Sequence, residues 1–325
     1  MIGIAPDRGL GEFTLVESLP DFVVVAFAAV THLADPWFLF GLLALVYWLG
    51  TDRLTAEPRR VGATTIAIVT CTYALVALGK AWVAVPRPPG AMGPVDVPAW
   101  LPAIAAGWYE TQVLSDGFGF PSGHAAAGIA AYLSLALLVN RLGTRRVRLL
   151  AAGIVAIAVA ASRVVIAVHF LVDVIVGILV GVIAVIGGLW AAGVSPRRWG
   201  VASDPDGHDW RQELDPRPTF LLAAVISVIA AGIAFHNGHS TEVVEAGIGI
   251  AAGVGGAIGW QCSRSDEPPV TALVAAPALG VTGGLWVGAY TLSSAAGVTF
   301  VATTVAVTVV IALPALSLRW AGTRE

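Results

Sequence analysis

The sequence predicts an all-α integral membrane protein, a six-helix core followed by a four-helix C-terminal extension, about ten spans in all. Three observations predict it. Hydrophobic residues make up 57% of the 325 positions and charged residues only 12%, with a mean hydropathy of +0.82. A soluble globule carries roughly 25% charged residues, and a disordered chain needs low hydrophobicity with high charge, so both classes are excluded. Apolar stretches recur at the length a bilayer demands, about 20 helical residues for a hydrocarbon core of about 30 Å. All but three of the 18 cations then fall on one side of the resulting topology, the asymmetry expected of short cytoplasmic loops.

Ten segments satisfy the length rule, near residues 18–33, 36–50, 61–80, 121–140, 147–165, 169–194, 218–236, 241–260, 270–291 and 294–317. The first is counted as a span, but Asp35-Pro36 follows it so closely that a half-span or an interfacial helix is the alternative. The fifth and sixth form one apolar stretch from Leu149 to Trp190, broken only by Arg163, His169 and Asp173. As one helix it would run about 60 Å, twice the bilayer, so the chain must reverse near those polar residues and bring them to a membrane surface. The polar stretch 196–217 reads as a linker between a core over 1–195 and a membrane unit over 218–325. Gly249/Gly253 and Gly255/Gly259 have the four-residue spacing of closely packed membrane helices, although glycine scattered in an apolar run gives the same pattern.

The cation count places both termini in the cytoplasm, Arg8 among the cytoplasmic charges, and leaves Lys80, Arg87 and Arg163 facing outward in a multi-pass plasma-membrane protein. A net charge of -3 gives no field that recruits nucleic acid. Cys71 and Cys262 match neither a disulfide framework nor a zinc cluster. The acidic N-terminus lacks the basic start of a secretory signal.

Three outward stretches concentrate the polar groups: Lys80 through Pro88, Phe120 through His124, and Ser162-Arg163 with His169 and Asp173. Three cations at membrane depth need an anion or a wet cavity. Pro121-Ser122-Gly123 at a helix start offers free N–H groups and the positive end of a helix dipole, and guanidinium groups match phosphate oxygens bidentately. The ligand expected is a phosphoryl group. His169 and Asp173 are four apart, so if the helix has begun by His169 the carboxylate fixes the ring tautomer and leaves the other nitrogen as nucleophile. His124, beside the cradle, is placed to protonate the leaving oxygen. No cofactor and no metal enter this scheme.

These three stretches resemble the signature motifs of the type 2 phosphatidate phosphatase superfamily, which includes glucose-6-phosphatases, polyprenyl-diphosphate phosphatases and vanadium haloperoxidases. The resemblance covers residues of about 20–195 and implies a six-helix phosphatase-like core. It implies a phosphohistidine at His169 supported by Asp173, protonation of the leaving group by His124, and phosphoryl binding by Lys80, Arg87, Ser122, the Gly123 amide and Arg163. The function expected is hydrolysis of a lipid phosphate or isoprenoid diphosphate, with membrane lipids as surroundings. The alternatives are a soluble sugar phosphate, a haloperoxidase, and a lipid or anion transporter that uses the site only for binding. The oligomeric state is open.

Other candidates carry less. His236, His239, Glu242 and Glu245 have a spacing compatible with two or three metal ligands, but carboxylates in a first helical turn are also expected from the dipole. His32 beside Asp35 reads as a polar turn. Trp100, Trp108, Tyr109, Phe118 and Phe120 form either a lipid-chain surface or an interfacial aromatic belt.

Overall fold

A computed structural model describes residues 7–195, 198–199, 209–263, 267–293 and 295–322. Among them there are helices and no strands. The helices are α1 (Glu12–Val16), α2 (Asp21–Val30), α3 (Pro36–Leu49), α4 (Pro58–Val83), α5 (Ala103–Val113), α6 (Gly123–Leu138), α7 (Arg145–Val165), α8 (Leu171–Ala191), α9 (Pro216–His236), α10 (Ser240–Cys262), α11 (Ala272–Leu292) and α12 (Ala296–Gly322). By length and composition α4 and α7 through α12 are able to cross a membrane, and α2 with α3 passes the same test as one bent pair. The 16 residues of α6 reach only about 24 Å.

α4 is the axis of the bundle. It packs against α3, α6, α8, α9 and α10, and five neighbours fit because its buried faces are small: Gly62, Ala63, Thr64, Ala67, Thr70, Ala74 and Ala77. Three of its four buried threonines cost little in a dry core, since Thr65, Thr70 and Thr72 each donate to the carbonyl four residues earlier, at 2.8 to 2.9 Å, whereas the Thr64 hydroxyl has no partner among the described residues. Large apolar side chains point outward from the surrounding helices, such as Ile154 on α7, Ile183 on α8 and Leu273 on α11. An exterior of this kind is stable in hydrocarbon and not in water.

One end of α4 is closed by arginines. Arg59 donates to the carbonyls of Trp48 and Gly50, and Arg211 to those of Leu137 and Leu138. They thereby satisfy acceptors left free at the ends of α3 and α6. The other end of α4 carries Lys80 and holds the candidate site described below.

The N-terminal region departs from the two-span expectation. Asp35 is extended and Pro36 opens α3, so α2 cannot run on, and the two helices meet with a bend of 49° through a 3-10 turn at Thr31–Ala34. α2 has ten residues, about 15 Å, half a bilayer. The chain before it therefore stays at the Lys80 end, where Arg8 donates to Asp173 at 2.6 and 2.9 Å. Arg8, counted from sequence with the cytoplasmic cations, thus lies at the same end as Lys80, Arg87 and Arg163.

The C-terminal helices join the same bundle. α9 and α10 lie along α4, and Tyr47 and Trp48 of α3 donate to the carbonyls of Ile311 and Val310 on α12. Glycine makes these approaches possible: a methyl at Gly253 would meet the Phe220 carbonyl of α9 at 2.6 Å, and one at Gly255 the Thr304 carbonyl of α12 at 2.6 Å. Half of the linker expected over 196–217, residues 196, 197 and 200–208, lies outside the described residues; its later part forms a 3-10 turn at Trp210–Glu213.

Candidate active site

Four chain segments meet at the Lys80 end: the loop after α4, the start of α6, the turn joining α7 to α8, and the bend between α2 and α3. The α7–α8 turn is set by backbone geometry. The amides of Val168 and His169 both donate to the Arg163 carbonyl at 3.2 Å, and Ala167 takes a left-handed conformation with φ of +54°. An alanine held there costs on the order of 1 kcal/mol, and such conformations cluster at functional sites. The start of α6 is pressed between two helices. A methyl at Gly177 of α8 would lie 2.6 Å from the Ser122 carbonyl, and one at Gly79 of α4 would lie 2.6 Å from Pro121 Cδ.

On this frame the buried His169 meets Arg87 directly, with Arg87 Nη1 2.9 Å from His169 Nε2. Arginine only donates, so Nε2 is the acceptor and the ring proton of a neutral imidazole sits on Nδ1. Arg87 also donates to the carbonyls of Asp116 and Val168 at 2.8 and 3.2 Å, and burial holds its guanidinium below the usual arginine value. Arg163 is buried and donates to Thr31 Oγ1 at 2.5 Å, while its Nε has no partner within the protein. Ser122 is fully buried, its hydroxyl also unpartnered, and its amide donates to the Asp173 carbonyl at 3.0 Å. The next amides, from Gly123 onward, are the free donors of the first turn of α6.

Three expected positions sit differently from the simplest sequence reading. His169 Nδ1 is 3.5 Å from Asp173 Oδ2 without a hydrogen bond between them. α8 begins only at Leu171, so His169 precedes the helix and the i,i+4 geometry does not apply. The Asp173 carboxylate is instead engaged by Arg8 and by the Phe170 amide at 3.0 Å. Arg8 also donates to the Pro86 carbonyl at 3.1 Å and stacks 4.6 Å from the Phe170 ring centroid, tying the N-terminus to two of the three motif stretches. Lys80 pairs with Glu245 of α10 at 3.0 Å, an ion pair from the C-terminal unit. His124 Nε2 lies 2.8 Å from Asp35 Oδ1.

The remaining candidates separate. Among the described residues no three His, Cys, Asp or Glu side chains form a cluster suited to a metal. His239 makes an edge contact with Phe118, and Glu245 is held by Lys80. Tyr109 of α5 is buried against Val113, Ala28, Ile166 and Val168, whereas Trp100 stays 56% exposed. Arg8, Thr31, His32, Asp35 and Glu245 are site neighbours that motif reading passed over. The available signal was polarity alone: His32 and Asp35 interrupt an otherwise apolar run.

Residues 60–197 match the family described as the PAP2 superfamily, and every expected site residue from Lys80 to Asp173 falls inside that range. No curated protein and no solved structure matches the chain.

Proposed function

Taking the PAP2 superfamily match of residues 60–197, the type 2 phosphatidate phosphatase superfamily, as the premise, we propose that the protein is a membrane phosphatase hydrolysing a lipid phosphate or isoprenoid diphosphate through a phosphohistidine, without a metal. The observation that carries this reading is the 2.9 Å contact of Arg87 Nη1 with His169 Nε2. It points an unprotonated nitrogen at a guanidinium, and a guanidinium is the group that holds a phosphoryl oxygen. In the proposed reaction Nε2 bonds to phosphorus as the P–O bond to the leaving group breaks, an ester bond in a lipid phosphate and an anhydride bond in a diphosphate, and the leaving oxygen takes a proton from His124. Water then attacks the phosphohistidine, His124 accepts its proton, and inorganic phosphate departs. Arg87, Arg163, the Ser122 hydroxyl and the Gly123 amide stabilise the charge on the equatorial oxygens.

A lipid substrate is favoured by the surroundings. Trp82, Met92, Trp100 and Ile104 expose large apolar surface at the site end, as interfacial residues do. The arginine-capped end of the bundle is proposed to face the cytoplasm and the site the outer leaflet, with the N-terminus on the site side. A panel of phosphatidate, polyprenyl diphosphate and hexose phosphate in detergent tests the reading. Phosphate release is expected from the lipid substrates and is expected to persist in excess chelator. Turnover of hexose phosphate alone, or none without added metal, contradicts it.

The four C-terminal helices are proposed as an accessory unit that supplies Glu245 as a resting partner for Lys80. A phosphoryl group binding Lys80 must compete with that carboxylate. Partly exposed ion pairs are worth about 0.2–1 kcal/mol, so Glu245→Gln is expected to tighten competitive inhibition by inorganic phosphate about two- to fivefold. An unchanged inhibition constant would remove Lys80 from the binding site.

A further inference from the structure

The bend between α2 and α3 brings in a carboxylate that the reaction above leaves unused. Asp35 stands where an N-cap is expected, immediately before Pro36, yet its side chain makes no capping hydrogen bond. It is turned to the site instead. Oδ1 lies 2.8 Å from His124 Nε2, and Oδ2 lies 2.5 Å from His32 Nδ1 and accepts from Trp37 Nε1 at 3.0 Å. Trp108 Nε1 in α5 donates to His32 Nε2 at 2.8 Å.

Hydrogen-bond polarity orders this chain without further assumption. An indole N–H only donates, so His32 Nε2 accepts and its neutral ring carries the proton on Nδ1. Nδ1 then donates to Asp35, whose ionised carboxylate only accepts, and His124 Nε2 must donate to it as well. The run is Trp108 to His32 to Asp35, met from the other side by His124. His32 and Asp35 lie outside residues 60–197 and so outside the family match.

We infer that Asp35 is a positioning residue for the proton donor of the reaction, held in place by His32 and Trp108. The inference rests on the phosphatase reading above. With Nε2 fixed to the carboxylate, Nδ1 of His124 is the nitrogen that meets the leaving oxygen. As His169 bonds to phosphorus and the P–O bond breaks, the Nδ1 proton passes to that oxygen, and in the second half-reaction attacking water returns a proton to Nδ1. Asp35 supplies the negative charge that an imidazolium in a site with Arg87 and Arg163 requires. A carboxylate that orients an imidazole and stabilises its charged form is the logic of the hydrolase triads, here applied by the half-buried Asp35 to the acid and not to the nucleophile.

The test separates proton donation from simple structural support. Diacylglycerol leaves phosphatidate as an alkoxide and needs a proton; 4-nitrophenol leaves its phosphate ester as a stabilised phenolate and does not. In kcat/KM, which reports only the first half-reaction, Asp35→Asn is expected to lose about 10²-fold on phosphatidate, within the range of general acid catalysis, and less than about threefold on the aryl ester. Asp35→Glu should recover part of the lipid activity, and Trp108→Phe, which removes only the outer donor, should show the same substrate ordering at about two- to fivefold. Trp108→Phe also carries the test if Asp35→Asn does not elute as a single species in detergent. Equal losses on the two substrates, or no loss, would overturn the inference while leaving the phosphatase reading standing. A wild-type protein that hydrolyses neither ester would overturn both.

Discussion

Replacing His169 with alanine is expected to lower phosphate release at least about 10⁴-fold below wild type, while the protein still elutes from detergent as the wild-type species. Removing a covalent nucleophile leaves only binding and electrostatic stabilisation, and in other covalent enzymes such deletions cost several powers of ten. The fold should survive. His169 lies in a turn whose geometry is set by main-chain bonds from its own amide and that of Val168 to Arg163, and neither bond involves the imidazole. Retained turnover in this variant would end the phosphohistidine mechanism. Lost turnover together with aggregation would be uninformative about chemistry, and His169→Gln, which keeps most of the side-chain volume, supplies the control.

The second large effect is structural and comes from the N-terminus. Asp173 is fully buried, and its carboxylate is matched by two hydrogen bonds from Arg8 and one from the Phe170 amide. Arg8→Ala leaves that carboxylate without its charge partner. Breaking a buried pair on one side costs about 3–5 kcal/mol, so a marked fall in thermal unfolding temperature is expected, together with loss of activity as Asp173 and the His169 turn lose their anchor. Arg8→Lys keeps the charge but loses the two-pronged geometry and should fall between. The double variant Arg8→Ala with Asp173→Asn should recover part of the stability, because the unpaired charge is gone. An Arg8→Ala protein with wild-type stability would contradict the pairing.

The parts of this site that were legible in the sequence are local. Three motif stretches, each with residue types suited to phosphate, sit at segment ends, and a ruler of helix length was enough to bring Lys80, Arg87, Ser122, His124, Arg163 and His169 to one end of the bundle. The arginine asymmetry likewise identified the opposite end, where Arg59, Arg60, Arg148 and Arg211 donate to backbone carbonyls. The parts that were not legible are the long-range partners. Arg8 and Asp173, or Lys80 and Glu245, are 165 residues apart, and no spacing rule reaches that far. Arg8 falls among the cytoplasmic cations only if the segment over 18–33 is a full span, and the bend at Thr31–Ala34 brings it to the other end of the bundle. His32 and Asp35 read as a turn because their roles depend on what α5 and α6 bring to them. The four-residue spacing of His169 and Asp173 was real, but α8 starts two residues too late to use it.

Transfer of phosphorus to His169 Nε2 leaves a bond that can be trapped chemically. Protein mixed with ³²P-labelled phosphatidate and quenched in alkali within milliseconds is predicted to retain label that survives base, is released by acid, and maps to the peptide containing His169. Label that is absent from wild type under conditions of active turnover, or that persists in His169→Ala, would contradict the account.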